Sequence, residues 1–490
     1  MSRDTCASCY SATVDGASAT VVKVESYTAP GIPGIHIIGL ADAAINESRE
    51  RMKAATHVSG LQWPRTKVTI SLSPAGVRKN GACFDIAMVL AVLAGAGMQQ
   101  GSLLRDTLFL GELGLDGSLR AVSGLLPSLQ AAKEAGITRA VVPAANAAEA
   151  SLFEGMRIFL AHNLIDVHNF VTGRRALDEA SGLPQVPPRE YPDVRDVVGQ
   201  HQALEAATVA AAGGHHMFIM GPPGTGKTMI AQRIQGLLPA LTAQERVECT
   251  AINSVSDNPQ GIVFYPPFIS PHHSISRSAL LGGGSGKARP GAISLAHKGV
   301  LFLDEVSEIP APILDSLRLP LEHREIKLIR KHRPIAFPAD FQLVMAANPC
   351  RCSQETCVCT GADRRNYLSN ISGPIRDRID IFTTTERRGN IDHIGSVRST
   401  EELAGVVAEA RARRLARWGT HVSGPDLRRN HPAEEEAMLY LDDVLRKGKI
   451  SHRRADKLLR LAWTLADMEA AAIPTLDHLL KAEDYNASDF

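Results

Sequence analysis

Between Met217 and Leu238 the chain passes from a short apolar run through a glycine-rich turn into a helical pattern. That order of strand, phosphate loop and helix constrains the fold more than any other feature. Gly221, Gly226, Lys227 and Thr228 satisfy G-x-x-x-x-G-K-[ST]. The loop Gly221, Pro222, Pro223, Gly224, Thr225, Gly226, Lys227 and Thr228 therefore reads as a binding site for the phosphates of ATP. Its glycines let successive N–H groups converge on one anion, and the following helix points its N-terminus at the same place. Lys227 can reach the β- and γ-phosphates, and Thr228 can ligate Mg2+.

A phosphate loop alone does not imply hydrolysis. The run Val300–Leu303 ends in Asp304-Glu305, and ligand-facing groups of a parallel sheet sit at the carboxyl ends of its strands. Asp304 is expected to hold Mg2+ and Glu305 to polarise the attacking water. Asn348, at the tip of the strand-like run Leu343–Ala347, is placed to orient that water. Arg378, in Arg-Asp-Arg-Ile-Asp, is the candidate arginine finger toward a neighbouring subunit. Arg453, near the start of a helical stretch, is expected to reach back to the nucleotide.

Length and composition set the frame. At 490 residues and 44% hydrophobic content, roughly three domains with cores of their own are expected. Residues 1–180 read as an α/β domain, 181–198 as a Pro-rich linker, 199–385 as the ATPase core and 386–490 as an all-helical lid. A net charge of +1 excludes a bulk polybasic protein, so nucleic-acid contacts must come from local patches. Lys287 and Arg289 lie in a glycine-rich stretch of the long segment Tyr265–His297, read as an insertion. Arg330, Lys331 and Arg333 belong to a basic hairpin expected over Arg324–Phe337, where five basic residues face one acid before Pro334. These five cations are the candidate DNA contacts. His272 and His273 are expected to pack or hydrogen-bond rather than bind metal. No apolar run spans a bilayer and no signal segment is visible, so a cytoplasmic protein without membrane contact is expected.

Eight cysteines are few for a disulfide scaffold of this length. Cys350, Cys352, Cys357 and Cys359 form two C-x-C pairs in ten residues, which reads either as a Zn2+ site or as a loop of redox-labile thiols. Cys6 and Cys9 read as ordinary thiols.

Two longer stretches, Pro74–Met88 and Gly111–Pro127, resemble the Lon-protease-like domain of the ribosomal S5 domain-2 superfamily. By position Cys83 falls where the protease serine would be and Leu126 where the lysine would be. A leucine cannot serve as a base, so a non-proteolytic relative is expected. Asp196-Val-Val-Gly-Gln200 resembles the segment that walls the adenine pocket of AAA+ ATPases. With Gly31–Arg51, Pro266–Leu303, Asn348-Pro-Cys and Ile371–Ile381, nearly the whole chain resembles the magnesium-chelatase-like AAA+ proteins of the YifB/ComM family. The resemblance implies an α/β fold with an N-terminal Lon-like domain, a P-loop core carrying helix-2 and pre-sensor-1 insertions, and a helical lid. It implies ATP-dependent homo-hexamers that act as helicases on single-stranded or branched DNA, in branch migration during natural transformation, alongside recombination proteins. It casts Asn348 as sensor 1, Arg378 as arginine finger and Arg453 as the sensor-2 arginine. The alternative is an ATPase subunit of a metal chelatase acting on a protein partner. The N-terminal domain and the basic hairpin favour the DNA motor.

Overall fold

The computed structural model describes residues 5–39, 43–77, 79, 81–97, 102–182, 184–284, 288–329, 334–352, 358–386 and 398–487. Its N-terminal part is built on an eight-stranded mixed sheet. Thr5–Asp15 and Ser18–Ala29 form a long antiparallel hairpin around Gly16-Ala17. Lys67–Ser73 continues it on one side and pairs in parallel with Gly34–Ile38. On the other side Thr107–Phe109, Arg139–Pro143 and Arg157–Ala161 add in parallel, and Asp178–Glu179 closes the edge antiparallel. The helix Asp85–Gly95 is buried on nearly every side against one face of the sheet, with Ile45, Met52 and Val167 in the same core. The helix Leu125–Glu134 covers the other face.

Thr5–Asp15 was not expected from the sequence. It lies inside the sheet, and its inward positions include Ser11 and Thr13, both buried. Cys6 is exposed and Cys9 is fully buried. Three residues apart on one strand, they point to opposite faces and remain two ordinary thiols.

The second part is a five-stranded parallel sheet. Its order is Phe268–Ile269, Val300–Leu303, Gln342–Ala347, Met217–Met220, Ile381–Thr384. Both faces are covered, so consecutive residues alternate between two cores. Met217, Ile219, Val300, Phe302, Val344 and Ala346 enter one, while Phe218, Leu301, Leu303, Leu343 and Met345 enter the other. Continuous apolar runs rather than alternation follow from this double burial. The segment Tyr265–His297 supplies the edge strand Phe268–Ile269, the helices Arg277–Leu281 and Ala292–Leu295 and a two-residue ladder between them.

The C-terminal region is helical: Thr400–Trp418, Gly424–Asn430, Glu435–Arg446, His452–Met468 and Leu476–Tyr485. Ser399 and Glu402 form a capping box. Val407, Leu458, Leu461 and Leu465 join the same core as Met217 and Ile219, so this region packs directly on one face of the parallel sheet.

Candidate functional site

The strand Met217–Met220 lies between Gln342–Ala347 and Ile381–Thr384 in the parallel sheet and delivers Gly221 to its carboxyl edge. A Cβ on Gly221 would stand 2.0 Å from Thr385 Oγ1 and 2.6 Å from the Thr385 carbonyl, so only glycine fits. Gly224 and Gly226 adopt φ of +78° and +84°, the left-handed region open to glycine. Thr225 pins the loop by donating to the Pro222 carbonyl at 2.8 Å and by sharing a 2.6 Å hydrogen bond with Thr385. The helix Lys227–Leu237 then starts at the loop, its free N–H groups facing the same hollow.

Lys227 Nζ donates to the carbonyls of Gly221 (2.7 Å) and Pro222 (2.8 Å) and to Asn348 Oδ1 (2.9 Å). Burial pulls the ammonium below the usual lysine range, against the opposing pull of Asp304 and Glu305. Thr228 Oγ1 donates to Asp304 Oδ2 at 2.7 Å. Lys227, Thr228, Asp304, Glu305 and Asn348 therefore meet at the carboxyl ends of three adjacent parallel strands. Gln200, in the segment before the first core helix, exchanges hydrogen bonds with the Glu386 backbone on the exit from the last strand.

Glu305 takes a left-handed backbone conformation (φ 47°, ψ 43°), and its N–H donates to Asp304 Oδ1 at 2.9 Å. Its carboxylate is engaged: His273 Nδ1 stands 3.0 Å from Glu305 Oε2, and the His272 ring lies 4.0 Å from that of His273 between centroids. The expectation of a hydrogen-bonding role for this histidine pair did not name a site residue as partner. Nothing local to Pro-His-His-Ser identifies that partner; the contact arises because Phe268–Ile269 is the neighbour of Val300–Leu303 in the sheet.

Arg378 and Arg453 are placed elsewhere. Both line a cavity with His215, Gly299 and Gln342, which flank or begin the strands at their amino ends. A four-residue strand is about 13 Å long, so this cavity and the phosphate loop lie at opposite ends of one sheet. Arg378 donates to Glu322 Oε2 (2.7 Å) and the Pro374 carbonyl (2.8 Å).

Among the other candidates, Arg289 sits on the short ladder and pairs with Asp257. Lys287, Arg330, Lys331, Arg333 and Cys357 lie outside the described residues. Glu325–Ile329 and Pro334–Pro338 do form the expected antiparallel hairpin. Cys350 is buried, Cys352 and Cys359 are half-buried, and their sulfurs lie within 4.8 Å of one another. Cys83 is half-buried and close to the Ala12 carbonyl (3.5 Å), while Leu126 is buried on the helix Leu125–Glu134.

Three family models match successive stretches of the chain: subunit ChlI of Mg-chelatase over residues 24–146, magnesium chelatase subunit ChlI over 193–392, and the magnesium chelatase subunit ChlI C-terminal model over 397–486. An uncharacterized protein of Mycobacterium tuberculosis is 44% identical over 96% of this chain and 97% of its own. The YifB protein of Escherichia coli is 35% identical over 97% and 96%, and the competence protein ComM of Haemophilus influenzae 33% over 98% and 97%. Identity of this extent, end to end, on a parallel P-loop sheet with a helical C-terminal region places the chain in the YifB/ComM family of magnesium-chelatase-like AAA+ proteins.

Proposed function

We propose that this chain is an ATP-hydrolysing motor that remodels DNA. The observation that carries the ATPase reading is the convergence of Lys227, Thr228, Asp304, Glu305 and Asn348 on one hollow. Thr228 Oγ1 and Asp304 Oδ2, 2.7 Å apart, make an oxygen-only pair of the kind Mg2+ selects. Bound there, Mg2+ supplies charge neutralisation at the β- and γ-phosphates. Lys227 exchanges its loop carbonyls for phosphate oxygens. Glu305, released from His273, accepts a hydrogen bond from the attacking water, and Asn348 fixes that water's direction. Arg378 and Arg453 serve the nucleotide of an adjacent protomer in a homo-hexamer, because they lie at the far end of the sheet from their own loop.

DNA is favoured as the substrate by the basic hairpin and by the name of the competence protein among the relatives. Lys287, Arg289, Arg330, Lys331 and Arg333 are the proposed contacts, with single-stranded or branched DNA as ligand and helicase or branch-migration activity as the outcome. A cytoplasmic setting fits: among the described residues no helix is long and apolar enough to cross a membrane. The second reading, an ATPase that drives a chelatase-type protein partner, is kept alive by the three ChlI family models. We further assign Zn2+ to Cys350, Cys352, Cys357 and Cys359. Three sulfurs within 4.8 Å suit tetrahedral thiolate ligation, whose S–S separations are about 3.8 Å.

The experiment is ATP turnover by the purified protein alone and with single-stranded, duplex and four-way-junction DNA. Turnover stimulated most by the junction, and abolished in Glu305→Gln with nucleotide binding retained, is the expected result. Turnover indifferent to every DNA moves the assignment to a protein partner. Turnover in Glu305→Gln at the wild-type rate removes Glu305 from its role.

A further inference from the structure

The cavity at the amino ends of the parallel strands carries more cationic than acidic side chains. It has a volume of about 490 Å³, within the range of small-molecule sites. Two helices of the C-terminal region form its roof. Arg411, Arg414 and Trp418 lie on one face of Thr400–Trp418, and Arg453, Lys457 and Arg460 on one face of His452–Met468, each set at helical spacing. The lining holds eight arginine or lysine side chains against five carboxylates.

Four of these cations are matched by acids: Lys298 by Asp340 (2.9 Å), Arg378 by Glu322 (2.7 Å), Arg324 by Asp340 (3.6 Å) and Lys457 by Asp380 (3.8 Å). Arg411, Arg414, Arg453 and Arg460 have no carboxylate partner among the described residues. Arg411 Nε donates to the Ala211 carbonyl at 2.8 Å and Arg414 to the Gly213 carbonyl. The Nε atoms of Arg414 and Arg460 are buried with no hydrogen-bond partner. Burial, with the nearby Arg414 cation, pulls the Arg411 guanidinium down to about 10; burial lowers Arg414 too. Arg411, Arg414 and Arg460 are half-buried, and partly desolvated cations outside ion-pair distance of a carboxylate cost stability unless an anion meets them. Guanidinium groups at this density match phosphate oxygens two at a time.

We propose that this cavity binds a short phosphate chain through Arg411, Arg414 and Arg460, separately from the phosphate loop. The chain is either a free oligophosphate or the phosphate tail of a nucleotide held by a second copy of this protein. The second source rests on the ATPase reading above; the first does not. A pocket of this size takes a few phosphate groups rather than a threaded nucleic-acid strand.

Two arms separate the sources. In the first, full-length Lys227→Ala protein, whose phosphate loop is disabled, is titrated calorimetrically with inorganic tripolyphosphate. One-to-one binding is expected, weakened roughly tenfold or more by adding Arg460→Met. In the second, Arg460→Met alone is assayed for ATP turnover and then mixed with Lys227→Ala protein. Loss of turnover that mixing restores assigns the phosphate to the neighbour's nucleotide, since the intact loop and the intact arginines then come from different copies. Ligand-free Arg460→Met should melt at or above the wild type, because an unmatched charge has been removed; a purely structural arginine would lower the melting point. No tripolyphosphate binding together with no rescue on mixing overturns the proposal. Absence of wild-type turnover would instead sink the ATPase reading and leave the titration arm to decide this one.

Discussion

Glu305 occupies a backbone conformation that costs a non-glycine residue on the order of 1–3 kcal/mol, at the end of a fully buried strand. Such strain persists where the surrounding structure enforces it, and here it turns the carboxylate toward His273. Removing that partner should free the carboxylate for water. We expect His273→Ala to raise basal ATP turnover about three- to tenfold, on the order of one ordinary hydrogen bond, in a steady-state assay without DNA; an unchanged rate would show that the contact does not restrain Glu305. A second residue gives a pH signature. Burial pushes the Glu149 carboxyl up to about 7, only partly offset by the Asn146 hydrogen bond (3.2 Å). Between about pH 4.5 and 7 the folded state keeps a proton that the unfolded state has lost. Stability should therefore fall as pH rises through that window, by about 1.4 kcal/mol per pH unit from this group. Glu149→Gln should remove that component of the slope in denaturant titrations across the window. At this scale the phosphate-loop residues were legible because glycine conformations and a following helix are local properties. The Glu305–His273 contact was not, because it joins residues 32 positions apart through sheet pairing that no short pattern encodes.

Secondary elements differ in how much of themselves they write into the sequence. Four of the five helices of the C-terminal region open on a side-chain cap, at Ser399, Ser423, Ser451 and Thr475. Ser399, whose side chain accepts from the Glu402 N–H, illustrates this. Ser399→Ala should cost about 1 kcal/mol, read as a lower midpoint in chemical denaturation. The strand Phe268–Ile269 wrote almost nothing: two residues after two prolines give no periodicity, and its pairing with Val300–Leu303 defines it. Thr5–Asp15 was hidden for another reason, since serine, threonine and alanine in a sheet interior resemble a polar terminus. The phosphate loop is the most tightly specified element. Gly221→Ala places a methyl against Thr385, so it should abolish nucleotide binding, measured with a fluorescent ATP analogue, while far-ultraviolet circular dichroism stays near wild type.

Across the whole molecule, the hairpin Glu325–Ile329/Pro334–Pro338 links the N-terminal sheet to the part built on the parallel sheet. Its exposed positions carry Lys327, and its sequence tip carries Arg330, Lys331 and Arg333. Replacing those three by glutamine should weaken DNA binding and flatten its dependence on salt by about three counterions, in a fluorescence-anisotropy series from low to moderate ionic strength. An unchanged slope would place the DNA path elsewhere. The composition of this hairpin was readable; its seat was not. Ile335 and Phe337 are buried beside Ala17, Val255 and Ala288. Gly16, in the turn of the first hairpin, approaches Ile335 so closely that a Cβ would come within 2.3 Å. This seam has a practical consequence for dissecting the protein. A truncation that deletes the N-terminal domain uncovers Ile335 and Phe337 and turns a sealed joint into a sticky one, so aggregation of such a fragment measures the wound and not the missing domain's task. A bulky side chain at Gly16 pries the same joint open with both halves still present.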